Sequence, residues 1–145
     1  MSNWTHVAAI ARIDALRLDA DDDIMDFDAV FGKSIPDDDD DFDLEFSDIW
    51  QDAQEHPEKY MPYGSEGGLK RVVWVNEPCY LAAYSVMIFG DLRGHHDPKA
   101  VIEWFKRSCS KVNIRQACIN VLNEWYGAET WNYDHHGYIN EGEEE

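Results

Sequence analysis

Residues 69–90, LKRVVWVNEPCYLAAYSVMIFG, form the most strand-like stretch of the chain. It contains two runs rich in β-branched and aromatic residues, Leu69–Asn76 and Tyr80–Phe89, separated by a break at Glu77-Pro78. Because such side chains favour strands and proline interrupts a ladder of hydrogen bonds, the pattern predicts a central antiparallel β-hairpin. We expect the rest of the chain to pack against this hairpin.

The sequence before the hairpin predicts one strand and two short helices. Trp4–Ile13 alternates with a period of two, which predicts a half-buried strand inside the sheet. A helix is expected at about 22–31, because acidic residues precede apolar residues at helical spacing and Gly32 follows them. Ser47 is the predicted N-cap of a second helix, which ends before Pro57.

The sequence after the hairpin predicts a loop, a helix and two strands. The loop is expected at Gly90–His96, and Asp97-Pro98 is typical of a helix start. An apolar stripe then follows at positions 101, 102, 105, 109 and 112. Asn113–Trp125 alternates again, as a strand with two apolar faces, and Thr130–Tyr133 is a last short strand.

This order of elements predicts an α+β fold. It matches a ferredoxin-like split βαββαβ antiparallel sheet with helices on one face. An acidic insertion (about 34–60) follows the first helix, an extra C-terminal β-hairpin follows the last strand, and an acidic tail occupies about 139–145. The length of 145 residues predicts a single domain over 1–145.

The charge of the chain is strongly negative and uneven. Thirty Asp and Glu against twelve Lys and Arg give −18. Residues 1–60 hold 18 acids and 4 bases, a net charge of −14, whereas residues 61–145 hold 12 and 8, a net charge of −4. Such a field repels nucleic acids and anionic membranes and attracts basic partners. We therefore expect neither nucleic acid nor membrane as a direct partner.

The chain carries no sequence signal for export. It opens MSNWTHV, which lacks the basic and apolar regions of a secretory signal, and no apolar run approaches the roughly 20 residues of a membrane span. The three cysteines show no paired spacing. These features predict a cytoplasmic protein with reduced thiols, in which Cys109 and Cys118 belong to the core.

The acidic tract at 36–48, PDDDDDFDLEFSD, has a spacing of charge close to that of DNA. An extended chain rises about 3.3 Å per residue, and one DNA strand carries a charge about every 3.4 Å. The tract is thus a candidate DNA mimic for a basic groove; the alternative is a solvated loop that maintains solubility. The candidate partner-binding residues are its carboxylates, Asp37, Asp38, Asp39, Asp40, Asp41, Asp43, Glu45 and Asp48.

Other chemistries are less well supported by the sequence. The aspartate run lacks the glycine and the glutamate spacing of an EF-hand. The pairs His95-His96 and His135-His136 would form a zinc site only if their loops converge. Cys79 has no local partner that would make it a nucleophile. We therefore expect no catalytic residue, no metal and no cofactor.

Aromatic residues crowd the C-terminal hairpin and suit a protein interface. They are Trp125, Tyr126, Trp131, Tyr133 and Tyr138. Stacking of RNA bases on such residues would require Lys and Arg companions that this hairpin lacks.

Several segments resemble small proteins of phages and prophages of gut Firmicutes. They are SNWTHV (2–7), EHPEKYMPYGSEGGL (55–69), IFGDLRG (88–94), IEWFKRSC (102–109) and NEWYGAETWNY (123–133). The resemblance covers about two-thirds of the chain, outside the aspartate tract. It implies a ferredoxin-like fold, an origin in a mobile element and a place in the cytoplasm of a bacterial host, and it implies no catalytic residues.

Counter-defence proteins are common among short phage proteins, which directs the functional expectation. We expect a non-enzymatic inhibitor of a host defence nuclease, of the anti-CRISPR type, that binds a basic nucleic-acid-binding surface through an acidic, DNA-mimicking face. The alternative is a self-associating module of a mobile element. In that case the open sheet face and the aromatic hairpin would form a homodimer, and the acids would only solubilise the protein.

Overall fold

A computed structural model describes residues 3–14, 26–35, 44–76, 84–94 and 97–133, with only the backbone described at 44–47. Five strands lie in this part of the chain: β1 (Trp4–Asp14), β2 (Leu69–Val75), β3 (Tyr84–Arg93), β4 (Asn113–Asn123) and β5 (Gly127–Asn132). The described α-helices are α1 (Phe27–Phe31), α2 (Leu44–Glu55) and α3 (Pro98–Cys109), and a 3-10 turn spans Pro57–Lys59. The protein is therefore α+β.

The strands form one antiparallel sheet in the order β2-β3-β1-β4-β5. Strand β1 lies between β3 and β4, so the predicted interior position of the N-terminal strand is confirmed. Strands β2 and β3 pair directly, as the sequence of the hairpin predicts. Strand β5 pairs with β4 and extends the sheet at one edge.

Helices α1 and α3 pack on the same face of the sheet. The ring centroids of Phe31 and Phe105 lie 6.3 Å apart. The rings of Phe27 and of Tyr84 on β3 pack edge to face, with their centroids 5.3 Å apart. The alternating strand residues that point toward these helices are buried and form the main core with them; they include Val7, Ile13, Val86, Ile88, Ile119 and Val121. Burial of this apolar surface is the main force that holds the helices on the sheet.

The start of α3 and its buried side follow the predicted pattern. The Asp97 side chain accepts a hydrogen bond from the backbone N–H of Lys99, and Pro98 occupies the first turn. The predicted stripe is buried at Val101, Phe105 and Cys109. Trp104 is also buried, and its indole N–H donates to the carbonyl oxygen of Phe31 at 2.8 Å.

Helix α1 is short and depends on its surroundings. Asp26 caps it by accepting a hydrogen bond from the N–H of Ala29, and Gly32 ends it at φ 107°. A Cβ at Gly32 would lie 2.7 Å from the backbone of Tyr60 and Met61, so a side chain there would push this segment away. The start of the predicted helix, 22–25, lies outside the described residues.

Several predictions of local structure are wrong. The last two strands were expected at Asn113–Trp125 and Thr130–Tyr133, but β4 ends at Asn123 and β5 spans Gly127–Asn132. Two further cases concern β3 and α2. Residues 90–93 were expected in a loop, but β3 continues to Arg93, because Asp91, Leu92 and Arg93 pair with the first residues of β1. Ser47 was expected to cap α2, but the helix already begins at Leu44, so Ser47 lies within it. Pairing in the first case cannot be read from local sequence, and the boundary in the second lies in an acidic run without a single strong start signal.

Candidate interaction surfaces

The acidic surface of the described chain is centred on α2. Asp48, Asp52 and Glu55 are spaced four and three residues apart, so they lie along one side of the helix. Their positions are separated by about 6 and 4.5 Å along the helix axis. Residues 34–58 contain 11 Asp and Glu and no Lys or Arg, so α2 continues the charge of the aspartate tract.

The opposite side of α2 fixes its position. Ala53 is fully buried against Ile35 and Tyr60. The half-buried Trp50 packs on the ring of Tyr63, with the two ring centroids 5.3 Å apart. The hydroxyl of Tyr63 donates to the carbonyl oxygen of Ala53 at 2.9 Å. This small second core holds α2 so that its acidic stripe faces outward.

Asp52 is anchored in its ionised form. The hydroxyl of Tyr60 donates to its carboxylate at 2.6 Å. This hydrogen bond lowers the pKa of Asp52, and the same bond, together with burial, raises the pKa of Tyr60 to about 12. Asp52 therefore keeps its negative charge at lower pH than an ordinary aspartate.

The charges on α2 are poorly placed for helix stability. The last turn has no basic residue, although a helix C-terminus carries partial negative charge and is stabilised by cations. Glu55 lies in that turn, and among described residues neither it nor Asp48 forms a salt bridge. By contrast, Asp14, Asp28 and Glu66 pair with arginines elsewhere in the molecule. Glu55 accepts a hydrogen bond from the Gln51 side chain at 3.3 Å, but its charge at this helix end is not one that stabilises the helix.

The structure covers only part of the predicted acidic site. Asp37–Asp41 and Asp43 lie outside the described residues. Glu45 lies in the first turn of α2, where only the backbone is described, and Asp48 is exposed on the same helix. Asp52 and Glu55 were not among the predicted site residues, although their spacing from Asp48 could have identified them.

A second polar site, which the sequence did not predict, crosses three strands. His6 of β1 lies between Asp91 of β3 and Glu124, which follows β4. Its ring nitrogens contact the two carboxylates at 2.7 and 2.8 Å. The hydrogen bond to Asp91, then that to Glu124, raises the pKa of His6. Only the imidazolium can donate from both nitrogens, and neither nitrogen is free to act as a general base in this arrangement.

The sheet has a second face, which we call the open face, on the side away from α1 and α3. Val72, Trp74, Met87 and Leu122 point to it and are 50, 69, 46 and 43% exposed. Cys118 also points to this face and is exposed, so its predicted place in the core is wrong, whereas that of Cys109 is confirmed. The cause is that the helices cover only one face of β4, and Cys118 lies on the other face with Gln116, Asn120 and Leu122.

The aromatic residues of the C-terminal hairpin divide between core and surface. Trp131 and Tyr133 pack against the main core, whereas Trp125 and Tyr126 are 53 and 66% exposed in the turn between β4 and β5. Tyr138 lies outside the described residues.

The histidine pairs that the sequence analysis considered as a zinc site cannot be compared with the structure. The four histidines of the two pairs and Cys79 lie outside the described residues. Across the described ranges, no group of three or more His, Cys, Asp or Glu side chains is arranged to hold a metal ion.

Comparisons with protein-family models, curated proteins and solved structures find no match to this chain. The function is therefore inferred from the acidic surface around α2 and from the open face. Within the described residues, no helix is long and apolar enough to cross a membrane.

Proposed function

We propose that the protein is a non-enzymatic inhibitor, of phage or prophage origin, that acts on a host defence nuclease in the bacterial cytoplasm. It binds a basic surface that normally holds nucleic acid, and a CRISPR nuclease is the first target to test. The DNA-mimicking face consists of the aspartate tract and the acidic stripe of α2, the latter comprising Asp48, Asp52 and Glu55.

One observation carries this proposal: the negative charge is concentrated in a stretch that contains no Lys or Arg, although Lys59 and Lys33 at its borders also help to lower the pKa of Asp52. Residues 34–58 contribute 11 of the 30 acids and none of the 12 bases. Three described acids elsewhere pair with arginine, whereas no salt bridge to Asp48, Asp52 or Glu55 lies within the described part of the chain. A stripe held on a packed helix is also preorganised, so less ordering is required when a basic partner binds.

The proposed fold family is the ferredoxin-like βαββαβ arrangement. Support comes from the element order β1-α1-β2-β3-α3-β4 and from the strand order β2-β3-β1-β4, to which β5 is an addition. In this arrangement α2 belongs to an insertion between α1 and β2 in the chain order.

The test compares two charge-neutralised variants in binding to a purified type II CRISPR nuclease. The first replaces the tract residues Asp37–Asp41 by Asn. The second, the stripe variant, carries Asp48→Asn, Asp52→Asn and Glu55→Gln, which changes the net charge from −18 to −15 because three acids are removed. Asn at position 52 can still accept the hydrogen bond from Tyr60, so the helix is expected to keep its position.

A control matched to the stripe variant removes three negative charges elsewhere on the protein. It carries Glu66→Gln, Glu103→Gln and Glu129→Gln, and it also reaches −15. We expect at least a ten-fold loss of affinity in each test variant, which corresponds to about 1.4 kcal/mol, and a much smaller change in the control. Binding of the unaltered protein should weaken as salt rises, because screening shortens the reach of exposed charges.

Inhibition is measured as loss of DNA cleavage by the nuclease. Equal affinity of the stripe variant, the tract variant and the control would refute mimicry by this face. Retention of binding with no effect on DNA cleavage would refute the inhibitor function while leaving a binding module. A panel of other basic nucleic-acid enzymes extends the test beyond the first target.

A further inference from the structure

The open face carries an apolar patch, one row of which crosses four strands. The pairing register places Val72, Met87, Ile10 and Cys118 next to one another in one row across β2, β3, β1 and β4. Phe89 and Ala8 are neighbours in the adjacent row. Soluble proteins rarely expose such a contiguous patch unless another molecule covers it.

The size of the open face suits a specific protein contact. Five strands about 4.8 Å apart span roughly 24 Å, and nine residues of a central strand span roughly 30 Å. The product is roughly 700 Å², which is close to the ~800 Å² that each partner contributes to an interface of standard size. The rim is polar at β5, where Thr130 and Asn132 border the apolar rows.

The charges of the open face differ from those of the whole chain. In the three rows that contain Ala8, Ile10 and Arg12 of β1, the charged residues are Arg12 and Lys70, and no acid points to this face. At the opposite end lie Asp91, His6 and Glu124, with two carboxylates around one imidazolium. Lys70 lies in the Ala8 row, beside the row of His6, so the positive charge at the other end is that of Arg12, beyond which Asp14 pairs with Arg115. The group of two carboxylates and one imidazolium is net negative.

We propose that the open face is the contact surface of a homodimer with two-fold symmetry. An axis that crosses the strands at the level of Ala9 places position 12 of one β1 opposite position 6 of the other, since both are three residues away. Arg12 of each protomer then lies opposite His6 of its partner, close to the carboxylates of Asp91 and Glu124 on either side of that ring. The row of Ile10 and Met87 in one protomer packs on the row of Ala8 and Phe89 in the other, as in the packing of two aligned sheets.

A second copy fits this surface better than the other classes of occupant. Nucleic acid is repelled by a chain of charge −18 and would find two carboxylates at one end of the face. A basic protein is attracted to the acidic stripe of α2 and would meet Arg12 and Lys70 here. The opposite signs at the two ends of the face are satisfied by the same face after a half-turn.

The test is the molar mass in solution, measured by light scattering after size exclusion at about 0.15 M salt, where charges are screened beyond roughly 8 Å. At high micromolar concentration we expect about twice 16.8 kDa, with a return to 16.8 kDa on dilution. Met87→Asp should raise the dissociation constant at least ten-fold, because it places a carboxylate in the apolar centre. Arg12→Glu should do the same through repulsion, and the double variant Arg12→Glu with Asp91→Arg should restore the dimer.

The control variant is Tyr126→Ser, which removes an aromatic residue that is 66% exposed but lies in the β4–β5 turn, outside the rows. It should leave the dimer intact, and circular dichroism establishes that each variant is folded. A thiol reagent gives a second readout: in a Cys79→Ser background, native labelling of Cys118 should slow as the dimer forms.

Three outcomes would overturn the proposal. The first is a mass of 16.8 kDa at every concentration. The second is a dimer that persists in Met87→Asp but is lost in Tyr126→Ser, which would locate the contact at the turn. The third is a monomer in which Cys118 nevertheless resists labelling, because another segment of the chain would then occupy the face. None of these outcomes depends on whether the acidic stripe inhibits a nuclease.

Discussion

Replacement of Arg71 by Met should loosen α1 from the sheet. One guanidinium nitrogen of Arg71 donates to the carbonyl oxygen of Gly32 at 2.7 Å and, over a longer 3.4 Å, to that of Phe27. The other donates to the carboxylate of Asp28 at 2.7 Å. A helix of five residues has little stability of its own, so these bonds and its buried phenylalanines fix it in place.

The expected cost follows from the exposure of each partner. The ion pair with Asp28 should contribute less than about 1 kcal/mol, since the Asp28 side chain is 51% exposed. The hydrogen bond from a charged donor to the Gly32 carbonyl is worth about 1.5–3 kcal/mol. We therefore expect Arg71→Met to lower the free energy of unfolding by about 2–3 kcal/mol, mostly through the carbonyl contacts. This corresponds to a fall in Tm of roughly 4–10 °C for a chain of this size.

The assay is equilibrium unfolding in urea, followed by tryptophan fluorescence and circular dichroism. Asp28→Asn isolates the ion pair and should cost less than about 1 kcal/mol. Arg71→Lys keeps the charge but loses the forked geometry, so its cost should be intermediate. Lys99→Met serves as a control for charge removal at an exposed position of α3. Equal costs for Arg71→Met and Asp28→Asn would refute the reasoning, because the carbonyl contacts would then contribute nothing.

Three further predictions concern a titrating group, a buried hydrogen bond and the thiols. The midpoint of the NMR titration of His6 should lie above 6.5, because the two hydrogen bonds raise its pKa in the folded state. The protonated His6 therefore stabilises the fold fully below pH 6.5, and this stabilisation is lost as the pH rises through the raised pKa. A midpoint at or below 6.5 would contradict this prediction. Trp104→Phe should lower the free energy of unfolding in urea by about 2–4 kcal/mol, since it leaves the buried carbonyl of Phe31 unpaired and opens a cavity. A decrease of less than about 0.5 kcal/mol would show that this hydrogen bond is dispensable. At low protein concentration and neutral pH, maleimide should label Cys118 in the native protein, because this thiol is exposed. Cys109 should be labelled only after unfolding, because burial raises its pKa to about 12. Mass spectrometry that finds Cys109 labelled in the native protein would contradict this.

The two proposals assign different tasks to different surfaces. The acidic stripe of α2 would contact a basic partner, and the open face would join two copies of the chain. A dimer would then present two acidic faces, and simultaneous engagement of two sites would raise the apparent affinity through effective concentration. Comparison of the Met87→Asp monomer with the intact dimer in the same cleavage assay measures this contribution directly.

Local sequence determined the elements whose signals are contained within a few residues. The alternation in Trp4–Ile13 predicted β1, and Asp97-Pro98 with the apolar stripe that follows predicted α3, because side-chain periodicity and end-capping act over one or two turns. The concentration of acids before residue 60 was also visible without a structure. It did not show which face of α2 is exposed, and the role of these acids in binding stays a prediction.

Only the tertiary structure decided which residues meet across strands. His6 lies 85 residues from Asp91 and 118 from Glu124, and no local pattern encodes the register that joins them. The exposure of Cys118 was also decided by tertiary structure, because α1 and α3 pack on the other face of the sheet. Periodicity specifies that a strand has two faces, whereas the placement of helices selects the buried one.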